Sequence, residues 1–227
     1  MRVRWLALCG VAVVGLTGCP SFSTMGLARP IRKGTTQIVV APEALALAVV
    51  NPTTGVATGA VLPQAEIAVR YGITDSFELG AKAWLLGAGL EGKIGIIQSN
   101  PGFGLDIAIN PGFAYLGYGS TTSSSGLLSL SLPVMFGLNL GGHQLIVAPK
   151  VMDLVFLGGT SPVHVVLTGA SVGFALKLGD ELRIMPEISA VYPASVNSGG
   201  TTFTLPFQGA AVQAGLGLLI GGGRFDQ

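Results

Sequence analysis

Few residues of this chain have the type and spacing to carry chemistry. Ser161 and His164 lie three positions apart, and a hydroxyl near an imidazole is the start of a nucleophile–base pair. Such a pair needs a third group to orient the base. The nearest acid, Asp153, sits well down the preceding strand, so no positioned carboxylate is expected. Gly169-Ala170-Ser171-Val172-Gly173 has the spacing of a nucleophile elbow, which requires a strand–turn–helix and a later His. No His follows His164, and residues 174–178 continue a strand. Gly87-Ala88-Gly89-Leu90-Glu91-Gly92 matches a dinucleotide fingerprint, but that chemistry needs a helix N-terminus after the glycines. Residues 93–98 alternate as a strand instead. His143 and His164 are the two histidines. They are expected at opposite ends of a strand pair, ~20 Å or more apart at ~3.3 Å per residue. No catalytic residue, no metal and no cofactor is therefore expected.

The remaining charged residues make a different pattern. In residues 64–71, Ala65, Ile67, Val69 and Tyr71 fall on one face, and Gln64, Glu66 and Arg70 on the other. Residues 72–76 read as a tight turn. Residues 77–85 then alternate again, with Glu78 and Lys82 opposite Phe77, Leu79, Ala81 and Ala83. Period-2 alternation of this kind is a half-buried strand. It recurs over residues 89–98, 103–118, 127–140, 163–178 and 181–192. Residues 36–50, 143–157 and 203–220 complete the series, with a bulge expected near Pro149. Gly141-Gly142 reads as a two-residue hairpin turn. The non-greasy faces carry Glu66, Arg70, Glu78, Lys82, Glu91, Lys93, Asp106, Lys177, Arg183 and Glu187, acids and bases in equal number.

The chain has 227 residues, 10% charged and 49% hydrophobic, with 35 Gly and a net charge of +1. Soluble domains carry roughly 25% charge, so a medium other than water is expected to cover part of this surface. The charge balance leaves no nucleic-acid footprint. The cysteines are Cys9 and Cys19, which excludes a disulfide scaffold and a Cys-based zinc site once the first eighteen residues are removed. No segment has the chemistry of a spanning helix: residues 203–222 hold Pro206 and several Gly, poor helix formers. The other structure that satisfies all backbone groups in a bilayer is a closed β-barrel.

The start of the chain is a basic Met1-Arg2-Val3-Arg4, a short apolar run and Leu16-Thr17-Gly18-Cys19. The first three parts make a secretory signal. Leu16-Thr17-Gly18-Cys19 resembles the lipobox of bacterial lipoproteins. The resemblance implies that Cys19 is acylated, by palmitate among other chains, and becomes the mature N-terminus. The division expected is a lipoprotein signal peptide at 1–18, a lipidated tether at 19–34 and a barrel at 35–227. Arg29, Arg32 and Lys33 of the tether are expected to rest either on anionic headgroups or in a solvated linker.

The alternation over residues 36–222 resembles small outer-membrane β-barrel proteins. About ten strands are expected, in an all-β, closed, antiparallel transmembrane barrel. Its short turns would be at 72–76, 99–102, 141–142 and 179–180, its longer connections at 51–63, 119–126, 158–162 and 193–202. Both termini then fall on the short-turn, periplasmic side, where a lipid on Cys19 would also lie. Many such barrels end on an aromatic residue; Phe225 is the nearest candidate here. The resemblance implies outer-membrane lipid and the barrel-assembly and lipoprotein-sorting machinery as partners, with the oligomeric state open. The expected role is structural or that of a narrow, water-containing conduit crossed by ion pairs. Two alternatives stand beside it. One is a lipid-A-modifying barrel hydrolase with a Ser/His pair at the outer rim. The other is a soluble periplasmic barrel with its greasy face turned inward around an apolar ligand.

Overall fold

A computed structural model describes residues 21–50, 57–85, 87–99, 102–120, 123–157, 161–198, 201–204 and 209–223. The signal segment 1–18, Cys19 and Phe225 lie outside the described residues.

The alternating segments form twelve antiparallel strands: β1 (Thr36–Val50), β2 (Ala57–Thr74), β3 (Phe77–Trp84), β4 (Gly87–Ile97), β5 (Phe103–Ile109), β6 (Gly112–Ser120), β7 (Ser123–Leu140), β8 (His143–Leu157), β9 (Val163–Lys177), β10 (Leu182–Ser198), β11 (Thr201–Thr204) and β12 (Gly209–Gly221). β5 and β6 form one stave, lying end to end between β4 and β7. β11 is a short extension paired only to the far end of β10. The last stave, β12, pairs with both β10 and β1, which closes a barrel of ten staves.

The expected 103–118 strand is broken at Asn110-Pro111. Proline has no N–H to donate to a ladder, and the Pro111 carbonyl instead accepts from Gly92 N at 2.9 Å. The bulge expected near Pro149 is absent. β8 keeps one register against β7 on both sides of it, Pro133↔Lys150 and Phe136↔Val147. Pro149 keeps its place opposite Ala170 of β9, and the ladder to β7 is interrupted between these two pairs. The register shifts fall at Gly72/Thr74, Gly95/Ile97 and Pro193/Ser195. The connections expected to be long are partly strand: β2 begins at Ala57, β6 and β7 reach Ser120 and Ser123, and β10 reaches Ser198.

The two faces have opposite chemistry. Ile67, Val69, Leu90, Phe103, Leu130, Leu132, Val151 and Ile188 are exposed outward. Glu66, Arg70, Glu78, Lys93, Asp106 and Glu187 are buried inward. This is the reverse of a soluble barrel with an apolar interior and a charged exterior.

Candidate functional site

The lumen is filled by the chain itself. Residues 21–31 are buried within the barrel: Phe22, Met25, Leu27, Ala28 and Ile31 are each at most 4% exposed. Only Arg32, Lys33 and Gly34 are exposed, at the short-turn end. There Gly34 N donates to Gly72 O at 2.8 Å and Gly72 N to Thr35 O at 3.1 Å. The expected tether along the membrane surface is thus replaced by a lumenal segment. Arg29 lies inside, not at a headgroup. The reason is backbone chemistry: an extended chain in a lumen must find partners for its N–H groups, and the wall supplies five of them.

The wall's acceptors are side chains. Ile31 N donates to Glu78 Oε2 at 2.7 Å, and Ala28 N to Gln144 Oε1 at 2.9 Å. Met25 N and Thr24 N donate to the two oxygens of Glu187 at 2.8 and 2.7 Å. Phe22 N donates to Gln213 Oε1 at 2.7 Å. The segment's carbonyls are taken by cations: Met25 O by Arg70 Nη1 at 2.7 Å, and Phe22 O by Lys150. Charge-assisted bonds of this type are stronger than neutral ones. Thr24 Oγ1 also meets Ser171 Oγ at 2.6 Å.

Every one of the ten strand charges singled out from the sequence faces inward. Several of them are cross-paired beneath the segment. Arg70 Nε lies 2.6 Å from Glu91 and 3.9 Å from Glu78, and Lys93 Nζ lies 2.6 Å from Glu78. Lys82 reaches Glu66 at 3.7 Å. Asp106 is fully buried and holds Arg29 of the segment at 2.9 Å. It also accepts from Ser99 N, Asn139 and Gln144 at 2.8–3.0 Å. Glu187 serves the segment directly. Lys177 sits at the short-turn end, 3.9 Å from Asp180, and Arg183 is buried on β10. Glu43 and Lys150 belong to the same lumenal set and were not singled out by their sequence. Glu43 lies between Ala41 and Leu45 on an inward face that is mostly apolar, and Lys150 adjoins Pro149. Gln144 and Gln213, which hold the segment, carry no charge to flag them.

One space left beside the segment is small. A cavity of about 30 Å³ lies between Ser21, Ser23 and Thr24 on one side and Lys82, Glu91, Asn110, Ser129 and Ser131 on the other. That volume holds one or two waters.

The acid expected to be out of reach of His164 is in fact bonded to it. Asp153 Oδ2 is 3.0 Å from His164 Nδ1. The register Val155↔His164 places Asp153 two residues along on the neighbouring strand and on the same outward face. Ser161 is exposed beside β9, and among the described residues no hydroxyl bonds His164. Ser171 is in mid-strand facing the lumen, and residues 87–92 lie within β4, so neither glycine motif meets a helix. His143 lies at the short-turn end, accepting from Lys177 N at 3.0 Å, and His164 near the other. Among the described residues no cluster of three metal-ligating side chains occurs.

A closed antiparallel barrel with an apolar exterior and a paired polar interior is a membrane-spanning β-barrel. No family model and no curated protein matches the chain. Among solved structures it is similar to the outer membrane protease OmpT from Escherichia coli, at 8% identity and a TM-score of 0.45, covering 88% of this chain and 100% of that one. It is also similar to the translocator domain of the autotransporter NalP from Neisseria meningitidis, at 8% identity and a TM-score of 0.43, covering 96% and 95%. A third is neisserial surface protein A, at 13% identity and a TM-score of 0.32, covering 83% and 99%.

Proposed function

We propose that this is a lipid-anchored outer-membrane β-barrel with a structural, non-conducting role, whose N-terminal segment is its built-in plug. The observation that carries the reading is the lumenal placement of residues 21–31, with five main-chain N–H groups held by wall side chains. The secretory signal and the Leu16-Thr17-Gly18-Cys19 box support export and acylation at Cys19. The apolar exterior supports residence in lipid. The barrel-assembly and lipoprotein-sorting machinery are its expected partners. A plugged lumen favours the structural role over the conduit. Planar-bilayer recordings test this. The full chain should give no unitary steps, and a chain lacking residues 21–33 behind its signal should give them. Equal steps from both would restore the conduit.

The Asp153–His164 pair favours a second reading, a lipid hydrolase working on the outward face. A base and its orienting acid are present there, but among the described residues no nucleophile is bonded to the base. The non-enzymatic reading expects cells with the wild type to match empty-vector cells in lipid A and phospholipid profile. A deacylated lipid that vanishes with His164→Ala would promote the hydrolase.

A further inference from the structure

We infer that Asp153 and His164 form a binding site on the barrel exterior for a lipid headgroup that carries a primary ammonium, in the leaflet away from the short turns. The site goes beyond the plugged lumen and does not depend on it.

The outward faces of the strands are almost free of charge. Glu43, Glu66, Glu78, Glu91, Asp106 and Glu187 are all buried on the lumenal side. Among the described strand residues Asp153 is the one carboxylate on an outward face, and no Lys or Arg shares those faces with it. Its register partners are Leu130 of β7 and Val166 of β9, and Val151 and Val155 flank it along β8. An ionisable group kept among lipid-facing apolar side chains is costly, and marks a site whose partner must be named.

The strands fix its depth. Asp153 lies ten residues along β8 from His143 at the short-turn end. Ten strand residues are ~33 Å long. At a tilt of about 35–45° they rise ~25 Å, the height of the apolar band. β10 gives the same level. Ten residues from Leu182 it presents Tyr192, which is exposed, and aromatic girdles mark the edges of such a band. Tyr192 pairs with Thr168, and Thr168 with Val151, two residues from Asp153. The pair therefore sits where acyl chains give way to headgroups.

Its chemistry selects the headgroup. Asp153 Oδ2 is 3.0 Å from His164 Nδ1, and Asp153 Oδ1 is buried with no hydrogen-bond partner. A carboxylate has about four acceptor sites, so one imidazole leaves most of this one unused. The two side chains are 31% and 42% exposed. With Oδ1 buried, that exposure falls on the Oδ2 edge of the acid and the rim of the ring. When Nδ1–H donates to Oδ2, Nε2 of the neutral ring is a second acceptor. Two acceptors and a negative charge facing lipid fit a group that is both donor and cation. A primary ammonium supplies N–H donors and charge together, and makes charge-assisted bonds. A choline headgroup has the charge without an N–H, and a phosphoglycerol headgroup lacks the cation.

Native mass spectrometry of the full chain in detergent tests the site. Phosphatidylethanolamine, phosphatidylcholine and phosphatidylglycerol with identical acyl chains are titrated against wild type and Asp153→Asn, and heat-modifiable gel migration selects folded barrels. Wild type should hold phosphatidylethanolamine at least fivefold more tightly than phosphatidylcholine, and as an intact lipid. Asp153→Asn should bring the two within twofold. Equal affinities in wild type overturn the site whether or not the variant folds. So does a preference that survives in folded Asp153→Asn. Tighter binding of phosphatidylglycerol would mean that His164 acts as a cation, and overturns the ammonium assignment. A retained lipid that has lost an acyl chain would make the pair catalytic, and overturns a binding role.

Discussion

Arg70 concentrates the residue-scale physics of this barrel. Its guanidinium is 1% exposed and faces Glu91 and Glu78, and it also caps the carbonyl of Met25. Buried charges of this kind are costly unless each is paired and hydrogen-bonded. Removing one partner should therefore cost far more than removing a pair. Arg70→Ala is expected to destabilise the folded barrel by about 3–5 kcal/mol, largely because Glu91 is left unpaired. Arg70→Met with Glu91→Leu should be less damaging than Arg70→Ala alone. Urea unfolding of refolded protein in lipid vesicles measures both. A double variant weaker than the single would mean that the pair itself supplies the stability. The Asp153–His164 contact shows why sequence spacing misleads at this scale. Eleven positions separate the two residues, but the β8–β9 register puts them on adjacent strands on one face. Register is set by the turn and the bulges, which spacing does not reveal.

At the scale of elements, strands and plug differ in how they are encoded. Along β7 the apolar residues from Leu128 to Leu140 alternate with Ser129, Ser131, Gly137 and Asn139, and the strand follows the alternation. Along β1 the inward face is Gln37, Val39, Ala41, Glu43 and Leu45, so apolar residues lie on both faces and the alternation fades. Residues 21–34 have neither period 2 nor period 3.6. Residues 21–31 are enclosed, so Phe22, Met25, Leu27, Ala28 and Ile31 are all buried and no face is spared for water. Its polar partners are wall residues up to 191 positions away, which no local window contains. Gly72 is where the plug meets the wall. A Cβ there would run into the backbone of Ile31 and Arg32. Gly72→Val should therefore push the segment off β2 at its base, and protease should cut residues 21–34 at least several-fold faster than in the wild type. Unchanged cleavage would mean the segment does not lie against Gly72.

For the molecule as a whole, the sidedness of the wall was legible and the filling of the lumen was not. Ten alternating segments imply a closed barrel, and low charge implies lipid around it. A ten-stave barrel leaves more room than wall side chains fill, and the sequence does not say whether water or protein takes it. The exterior makes its own prediction. Leu132 is 50% exposed in mid-β7, so Leu132→Arg should cost about 2–4 kcal/mol in a bilayer, while Leu132→Phe should be nearly neutral. Equal unfolding midpoints for wild type and Leu132→Arg would place that face away from lipid.

The occupied lumen is the central claim, and amide hydrogen exchange of the full chain in lipid nanodiscs tests it most directly. The amides of Phe22, Thr24, Met25, Ala28 and Ile31 are bonded to buried wall groups. They should exchange as slowly as those of β8, hours rather than seconds, because each can open only when the segment leaves the barrel. Complete exchange of residues 21–31 within seconds, with β8 still protected, would contradict the account and return the segment to an open tether.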